Sequence, residues 1–502
     1  MNTQSQSTPV VVIGAGIGGL SAALSLKARG VPVILLERHA TAGGKMRQVD
    51  VAGRAIDAGP TVFTMRWVFE ALFGRAGLRL DEHLTLHEAS LLARHSWLDG
   101  SSLDLFTDVS RSMDAIATFA SPKEADNYRD FARQSESIFN TLDASFMRSQ
   151  RPNPIGLSLS GGLKGMMDMA NTQPFVSLWR HLSKSFDDPR LQQLFARYAT
   201  YCGSSPFKAP ATLMLIAHVE RAGVSLVEGG MHALAQTLTN TLVNLGVDCR
   251  YNQGVARIET TSSGVNAVVL ESGERIATHA VIFNGDTQAL ATGLLGEHVE
   301  KASGIRRQAS LSAVTQCQVA QTSGFDLAHH SVFFGDDYHD EFASVFTHQR
   351  LTKNPTVYVC AQDRGGHEQR VPDTLKHERL LSLVNAPATT MSGADKNEAV
   401  LRMQQSLTAH GLVISDEQGD TVTTGPCEFE QLFPATQGAL YGRPTHGWMG
   451  SFSRPGSASR VKGLYLCGGS VHPGAGIPMA SLSGQLAADK LWEDMGHSTK
   501  HP

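Results

Sequence analysis

Residues 10–38 read VVVIGAGIGGLSAALSLKARGVPVILLER, a strand, a glycine turn, a helix and a second strand. Val10 to Ile13 form a continuous apolar, mostly β-branched run, as expected of a strand buried on both faces of a parallel sheet. Gly14, Gly16 and Gly19 follow in G-x-G-x-x-G spacing, with Gly18 inside the same turn, where the apolar pattern becomes helical. Such glycines serve a tight turn, a close backbone approach to pyrophosphate, and close packing of helix on strand. The phosphates would rest on the helix N-terminus, whose unpaired N–H groups and dipole favour negative charge. Leu20, Ala23, Leu24 and Leu26 supply an inward face, Gly30 a stop, and Val31 to Leu36 the second strand. Glu37 ends that strand eighteen residues after Gly19, where its carboxylate can accept hydrogen bonds from ribose hydroxyls. The flanking strands and the acidic residue lift this stretch above a lone glycine motif. They do not choose between NAD and FAD.

The next stretch, HATAGGKMRQVDVAGRAIDAGPTVF (39–63), bears on that choice. Gly43-Gly44 lets the backbone pass close to the same pyrophosphate while the Lys45 cation approaches it, and Asp57-Ala58-Gly59-Pro60 closes a short hairpin. Both features resemble the family of FAD-dependent amine oxidases, protoporphyrinogen oxidases and carotenoid desaturases. There the paired glycines and a following basic residue line the FAD, and the D-x-G-P turn lies beside it. The resemblance therefore assigns Gly43, Gly44, Lys45, Gly59, Pro60 and Thr61 to the cofactor.

Length and composition bound the remainder. A chain of 502 residues is too long for one ordinary core and suggests two domains. Its 41% hydrophobic and 18% charged residues are those of a globular protein, and a formal net charge of −4 gives no electrostatic reason to expect nucleic acid. Cys202, Cys249, Cys317, Cys360, Cys427 and Cys467 are scattered without a C-x-x-C pair, so neither a zinc site nor a disulfide framework is expected. Met1 to Thr8 is polar and lacks the apolar region of a signal peptide, and no apolar run reaches the roughly 18 residues of a spanning helix. The expected location is cytoplasmic, with any contact to the inner membrane peripheral.

Beyond the hairpin, Thr61 to Leu80 carries Val62, Phe63, Met65, Val68, Phe69, Leu72 and Phe73 at helical spacing. The strands SLLARHSWL and SSLDLF follow, joined by Asp99-Gly100, a hairpin signal. From about Ser110 to Arg221 the pattern is mainly helical and includes residues 154–186, PIGLSLSGGLKGMMDMANTQPFVSLWRHLSKSF. Leu163, Met166, Met167, Met169, Phe175, Val176, Leu178, Trp179 and Leu182, interspersed with Lys164, Arg180, His181 and Lys184, make a stretch that can lie in a lipid headgroup plane or pack on its own domain. His181 and His218 have no second ligand at metal spacing, and no metal is expected.

A helix opening at VEGGMHAL (227–234) and the strands after it return the chain to the nucleotide-binding unit. In the resembled family, Val255 and Ile258 match a V-x-x-I backbone contact to adenine, and Asp286 ends the next strand at a turn beside the cofactor. Simple burial in a strand accounts for Val255 and Ile258 equally well. Residues 311–440 read as strands with one helix, without a paired-carboxylate motif, a nucleophile elbow or H-E-x-x-H.

Residues 463–480, GLYLCGGSVHPGAGIPMA, form a second glycine-rich strand and turn leading into a helix from Ala480 to Trp492. They resemble the final FAD segment of bacterial carotenoid desaturases, G-L-Y-L-x-G-x-x-x-H-P-G-x-G. The match places Gly468 and Gly469 at the turn and Gly476, Ile477, Pro478 and Met479 along the isoalloxazine ring. Amine oxidases commonly carry a carboxylate where this chain has Gly469, which speaks against that branch. GPTVFTMRWVFEALF (59–73) and LYGRPTHGWMGSFSRPG (440–456) resemble a narrower group, the methoxyneurosporene dehydrogenases or 1-hydroxycarotenoid 3,4-desaturases, with phytoene desaturases the nearest relatives.

The implied architecture is α/β: a Rossmann-like FAD-binding domain of glutathione-reductase or amine-oxidase type with an inserted mixed α+β substrate domain. The FAD-binding parts are expected at 8–90, 221–295 and 446–495, and the substrate parts at 91–220 and 296–445. The implied reaction is introduction of the 3,4 double bond into an acyclic 1-hydroxycarotenoid. An allylic C–H is too weakly acidic for any side-chain base, so hydride leaves first, to flavin N5, and a proton follows to water or a weak base. His472 is a candidate for that base or a residue shaping the flavin loop. A pocket that hydrogen-bonds a terminal hydroxyl can reject an analogue lacking it by roughly 10⁴-fold or more, and Arg66, Trp67, His446 and Trp448 are candidate donors. The terminal electron acceptor, oxygen or a quinone, stays open, as do a general carotene desaturase, a flavin amine oxidase and a prenyl-lipid carrier of the GDP-dissociation-inhibitor type. Such a carrier would not be expected to keep the glycine fingerprint and Glu37.

Overall fold

The computed structural model describes residues 8–150, 172–306, 308–365, 377–415 and 419–498. A five-stranded parallel sheet lies at its centre, in the order Asp248–Arg250, Val33–Leu36, Val10–Ile13, Val281–Phe283, Leu464–Leu466. Its strands come from three separated stretches of chain. Val10 to Ile13 is buried along its whole length because neighbours pair on both edges and helices cover the faces.

The helix Ile17–Lys27 leaves the first strand through the glycine turn, and the last helix, Ile477–Asp494, packs along it. Their crossing is closed by glycines. A Cβ on Gly484 would stand 2.0 Å from the Gly18 carbonyl oxygen, and Ser21 and Ser481 share a hydrogen bond of 2.8 Å beside it. Asp489 then ties three segments together, pairing with Arg29 at 2.5 Å and with Arg75 at 2.7 Å. The last helix starts at Ile477 rather than Ala480 because Pro478 sits in its first turn, where a missing N–H costs nothing.

One region differs from the sequence reading. The expected helix over Thr61 to Leu80 is split: Phe63–Thr64 pairs with Val224–Val227, Met65 takes a left-handed conformation, and the helix runs only over Arg66–Arg75. Of the stretch 154–186, Leu163, Lys164, Met166, Met167 and Met169 lie outside the described residues. In the described part, Leu178 and Leu182 of the Leu178–Ser185 helix are fully buried and the Trp179 ring packs tilted against Phe207, 4.8 Å between centres. That helix packs on its own domain. Among the described residues no helix is long and apolar enough to cross a membrane.

A second, eight-stranded mixed sheet is assembled from Leu91–Ser96 and Ser102–Phe106 together with six strands between Ser312 and Thr424. The junction is a parallel pairing of Leu91–Ser96 with His330–Phe333, more than two hundred residues later in the chain. This places the second sheet beside the hairpin Gln48–Val51 and Arg54–Asp57, through which it abuts the nucleotide-binding unit.

Candidate cofactor and substrate site

The glycine turn is built closed. Gly14 has φ +99°, and a Cβ on Gly19 would stand 2.0 Å from the Gly14 carbonyl oxygen. Gly43 donates to the Ala15 carbonyl at 2.9 Å, so the second glycine pair lies directly against the first. Asn284, at the end of the fourth sheet strand in chain order, braces the turn by donating to the Gly14 carbonyl at 3.1 Å. The sequence signal for Asn284 was a polar residue ending an apolar strand, which the reading passed over in favour of Asp286.

Glu37 is buried, and its two carboxylate oxygens accept from Ala15 N at 2.8 Å and His39 N at 2.9 Å. A carboxylate has about four acceptor positions, so lone pairs remain for ribose hydroxyls. Asp286 caps the helix Thr287–Ala291 by accepting from Gln288 N and is paired with Arg306 at 3.3 Å, both side chains being under a tenth exposed. The Lys45 ammonium donates to the Leu440 carbonyl and faces the Phe433 ring at 5.4 Å. Burial lowers its pKa to about 8, against the opposing pull of Asp286. Val255 reaches the cavity wall, whereas Ile258 is core.

These residues share one cavity of about 940 Å³. Gly14, Gly16, Gly18, Glu37, Gly43, Gly44 and Lys45 line it, and so do Gly59, Pro60, Thr61, Val255 and Asp286. The C-terminal turn adds Gly468, Gly469, Gly476, Ile477, Pro478 and Met479. Gly19 stays behind the wall, where it holds the helix against the strand. The sequence reading did not single out Arg454, which organises this end: its guanidinium donates to the carbonyls of Gly469, Tyr441 and Arg443 at 2.7 to 3.0 Å. An anionic dinucleotide fits such a cradle, with glycine backbone, spare carboxylate acceptors and a half-buried ammonium converging on one wall.

His472 does not line the cavity. Its Nε2 donates to the Phe146 carbonyl at 2.9 Å, the ring stands edge-on to Phe146, and burial lowers its pKa to about 4. That bond ties the His472 loop to the Phe146 segment. The four candidate hydroxyl donors lie in different places. Arg66 pairs with Glu70 on the exposed side of its helix, because it stands at the solvent-facing position of an amphipathic turn. Trp67 packs under Arg148 at 4.0 Å. His446 Nε2 accepts from Ser205 N at 3.0 Å, bracing a loop outside the wall. Only Trp448 reaches the cavity, at its rim, and it is 45% exposed there.

The half of the wall away from the glycine turns is apolar at Val62, Leu142, Met147, Leu213, Ile216 and Val219. It carries a polar inner patch that the sequence reading missed, contributed by Arg197, Tyr201, Glu220, Tyr358 and Glu341. Their signal was faint: single polar residues inside apolar segments, far apart in the chain. Behind Tyr358, the ligand atoms of His329, His330 and Cys360 lie within 4.8 Å of one another. His329 Nε2 contacts Cys360 Sγ at 3.6 Å, and His330 Nδ1 bonds the Tyr358 hydroxyl at 2.7 Å.

The profile of the flavin containing amine oxidoreductase family matches residues 17–491. A hydroxyneurosporene desaturase of Rubrivivax gelatinosus is 48% identical over 98% of this chain and 94% of its own. A second, of Cereibacter sphaeroides, is 40% identical over 98% of this chain and 99% of its own. Among solved structures, an oxidoreductase from Methanosarcina mazei superposes with a TM-score of 0.59 at 15% identity, covering 95% of this chain and 99% of that one, a likeness of fold alone.

Proposed function

The chain belongs to the flavin containing amine oxidoreductase family and is an FAD-dependent carotenoid desaturase; from that premise we propose that it introduces the 3,4 double bond into an acyclic 1-hydroxycarotenoid. The observation that carries the reading is whole-length identity of 40 to 48% to relatives named hydroxyneurosporene desaturase. A polar patch set among the apolar residues of one half of the cavity supports it.

FAD, when bound, supplies the hydride acceptor. The chain's residues do the holding. Gly14, Gly16, Gly43 and Gly44 would admit the pyrophosphate, Glu37 would hold the adenosine ribose, and Lys45 would meet negative charge. Pro60, Thr61 and the Gly476–Met479 turn would border the flavin ring. The apolar wall keeps water from the polyene and aligns it. No side chain needs to remove the first hydrogen, which leaves with its electron pair.

The substrate is lipophilic and has to enter from a lipid phase. Phe175 is 78% exposed, its ring lies 5.6 Å from Trp448, and Met449 is exposed beside it. Pro174 and Trp448 both belong to the cavity wall. This aromatic rim is the entrance, resting peripherally on the membrane surface, with oxygen or a quinone taking the electrons onward. The test is product analysis. Purified protein with liposomes carrying a 1-hydroxylated acyclic carotenoid yields a product two hydrogens lighter, with the new double bond at C3–C4. A new double bond elsewhere, or equal conversion of the unhydroxylated parent, overturns the assignment in favour of a general carotene desaturase.

A further inference from the structure

Arg197 opens a 3-10 segment, Arg197–Cys202, and projects into the substrate half of the cavity. Its guanidinium lies over the rings of Tyr201 and Tyr358, 5.4 and 5.5 Å from their centres. It makes one side-chain hydrogen bond among the described residues, a long one of 3.4 Å to the Tyr201 hydroxyl. The neighbouring hydroxyls are committed elsewhere. Tyr198 and Tyr201 both donate to the buried Glu220 carboxylate, and the Tyr358 hydroxyl is shared between Thr61 Oγ1 at 2.6 Å and His330 Nδ1 at 2.7 Å.

A guanidinium has five N–H donors. Withdrawn from bulk water, donors without partners cost free energy until an acceptor meets them. A hydrocarbon chain end offers no acceptor, whereas a hydroxyl oxygen does. The carboxylate of Glu220, held by two tyrosines, balances the charge, so the patch receives a neutral oxygen group rather than an anion.

Its position also suits the reaction. Thr61 follows the Gly59-Pro60 turn assigned to FAD, Tyr358 is bonded to Thr61, and Arg197 lies over Tyr358. One side chain therefore separates the guanidinium from the cofactor wall. In a 1-hydroxylated substrate the oxygen is three bonds from C3. An oxygen anchor for that substrate must sit close to the ring, and this one does.

Resting on the 1-hydroxycarotenoid reading above, we propose that Arg197 is the specificity-determining residue that binds the substrate's C1 hydroxyl oxygen and so presents C3–C4 for oxidation.

The test compares FAD-loaded wild type, Arg197→Met and Arg197→Lys. Each is assayed for kcat/KM on the hydroxylated carotenoid and on its unhydroxylated parent in matched liposomes. Binding of both is read by tryptophan quenching in dithionite-reduced protein, where no turnover occurs. Wild type favours the hydroxylated compound. Arg197→Met lowers kcat/KM and affinity for that compound by about 10- to 100-fold, the effect of losing a hydrogen bond to a charged group, and leaves the parent within about twofold. Arg197→Lys keeps the charge and packing, and it retains part of the preference even if the methionine variant fails to load FAD. Equal losses on both substrates would make Arg197 structural, and no loss on either would remove it from the oxygen site. Wild-type protein that converts both compounds alike would overturn the hydroxyl reading itself, and this proposal with it.

Discussion

Lys45 shows how a single half-buried ammonium makes cofactor binding depend on pH. In the free protein burial holds its pKa near 8, and an anionic pyrophosphate binds the protonated form. FAD affinity is therefore constant below pH 8 and falls as pH rises through it, by up to about tenfold per pH unit, because binding must then recover a proton. Fluorescence titration of apoprotein at pH 7 and 9 measures this. Lys45→Met should bind FAD more weakly at pH 7 and show a flat profile. Glu341 gives the opposite kind of signal. Burial raises its carboxyl to about 7, against its bonds from Thr356 and Asn385. The folded protein thus keeps a proton that the unfolded chain releases, and stability falls as pH rises from about 4.5 to 7, by at most about 3 kcal/mol. Urea unfolding at pH 5 and pH 8 should show that fall in wild type, and Glu341→Gln should abolish most of it. The sequence revealed Glu37 and Lys45 because both stand at fixed offsets from a glycine turn. Arg197, Glu220 and Glu341 form no such local pattern. Their meaning comes from which apolar wall they interrupt, and that is decided by packing.

Among the elements, the crossing of the first and last helices is the joint on which the cradle depends. Gly484 gives it no slack, since any Cβ would meet the Gly18 carbonyl. Gly484→Ala should force the helices apart, lower stability by about 2–3 kcal/mol and weaken FAD binding, read together by thermal unfolding with and without added FAD. Asp489→Ala leaves Arg29 and Arg75 without their shared carboxylate and should cost about 2 kcal/mol, with FAD affinity less affected because the turn itself is untouched. The strand-turn-helix at each end of the chain was legible, since each is a continuous sequence with its own start and stop signals. Residues 61–80 misled because their apolar spacing suits both a helix and a short paired strand, and Val224–Val227, far along the chain, supplied the pairing. The second sheet was legible only as separate strands. Its order rests on the pairing of residues 91–96 with 330–333, which no local pattern encodes.

For the molecule as a whole, one cavity joins a cofactor wall, an oxygen-accepting patch and an aromatic rim. If the rim is the entrance, replacing Phe175 and Trp448 together by Ser should reduce co-flotation with liposomes and slow conversion of carotenoid presented in membranes. Conversion of detergent-dispersed carotenoid should change little. Unchanged flotation would place the lipid contact elsewhere on the surface. The central claim, oxidation of a hydroxylated carotenoid by bound FAD, is tested most directly by anaerobic mixing of the FAD-loaded protein with liposomes carrying a 1-hydroxylated acyclic carotenoid, following flavin absorbance and the carotenoid spectrum together. The account predicts flavin bleaching in step with a red shift of the polyene, both much slower with the unhydroxylated parent. Flavin that stays oxidised with the hydroxylated compound would contradict it.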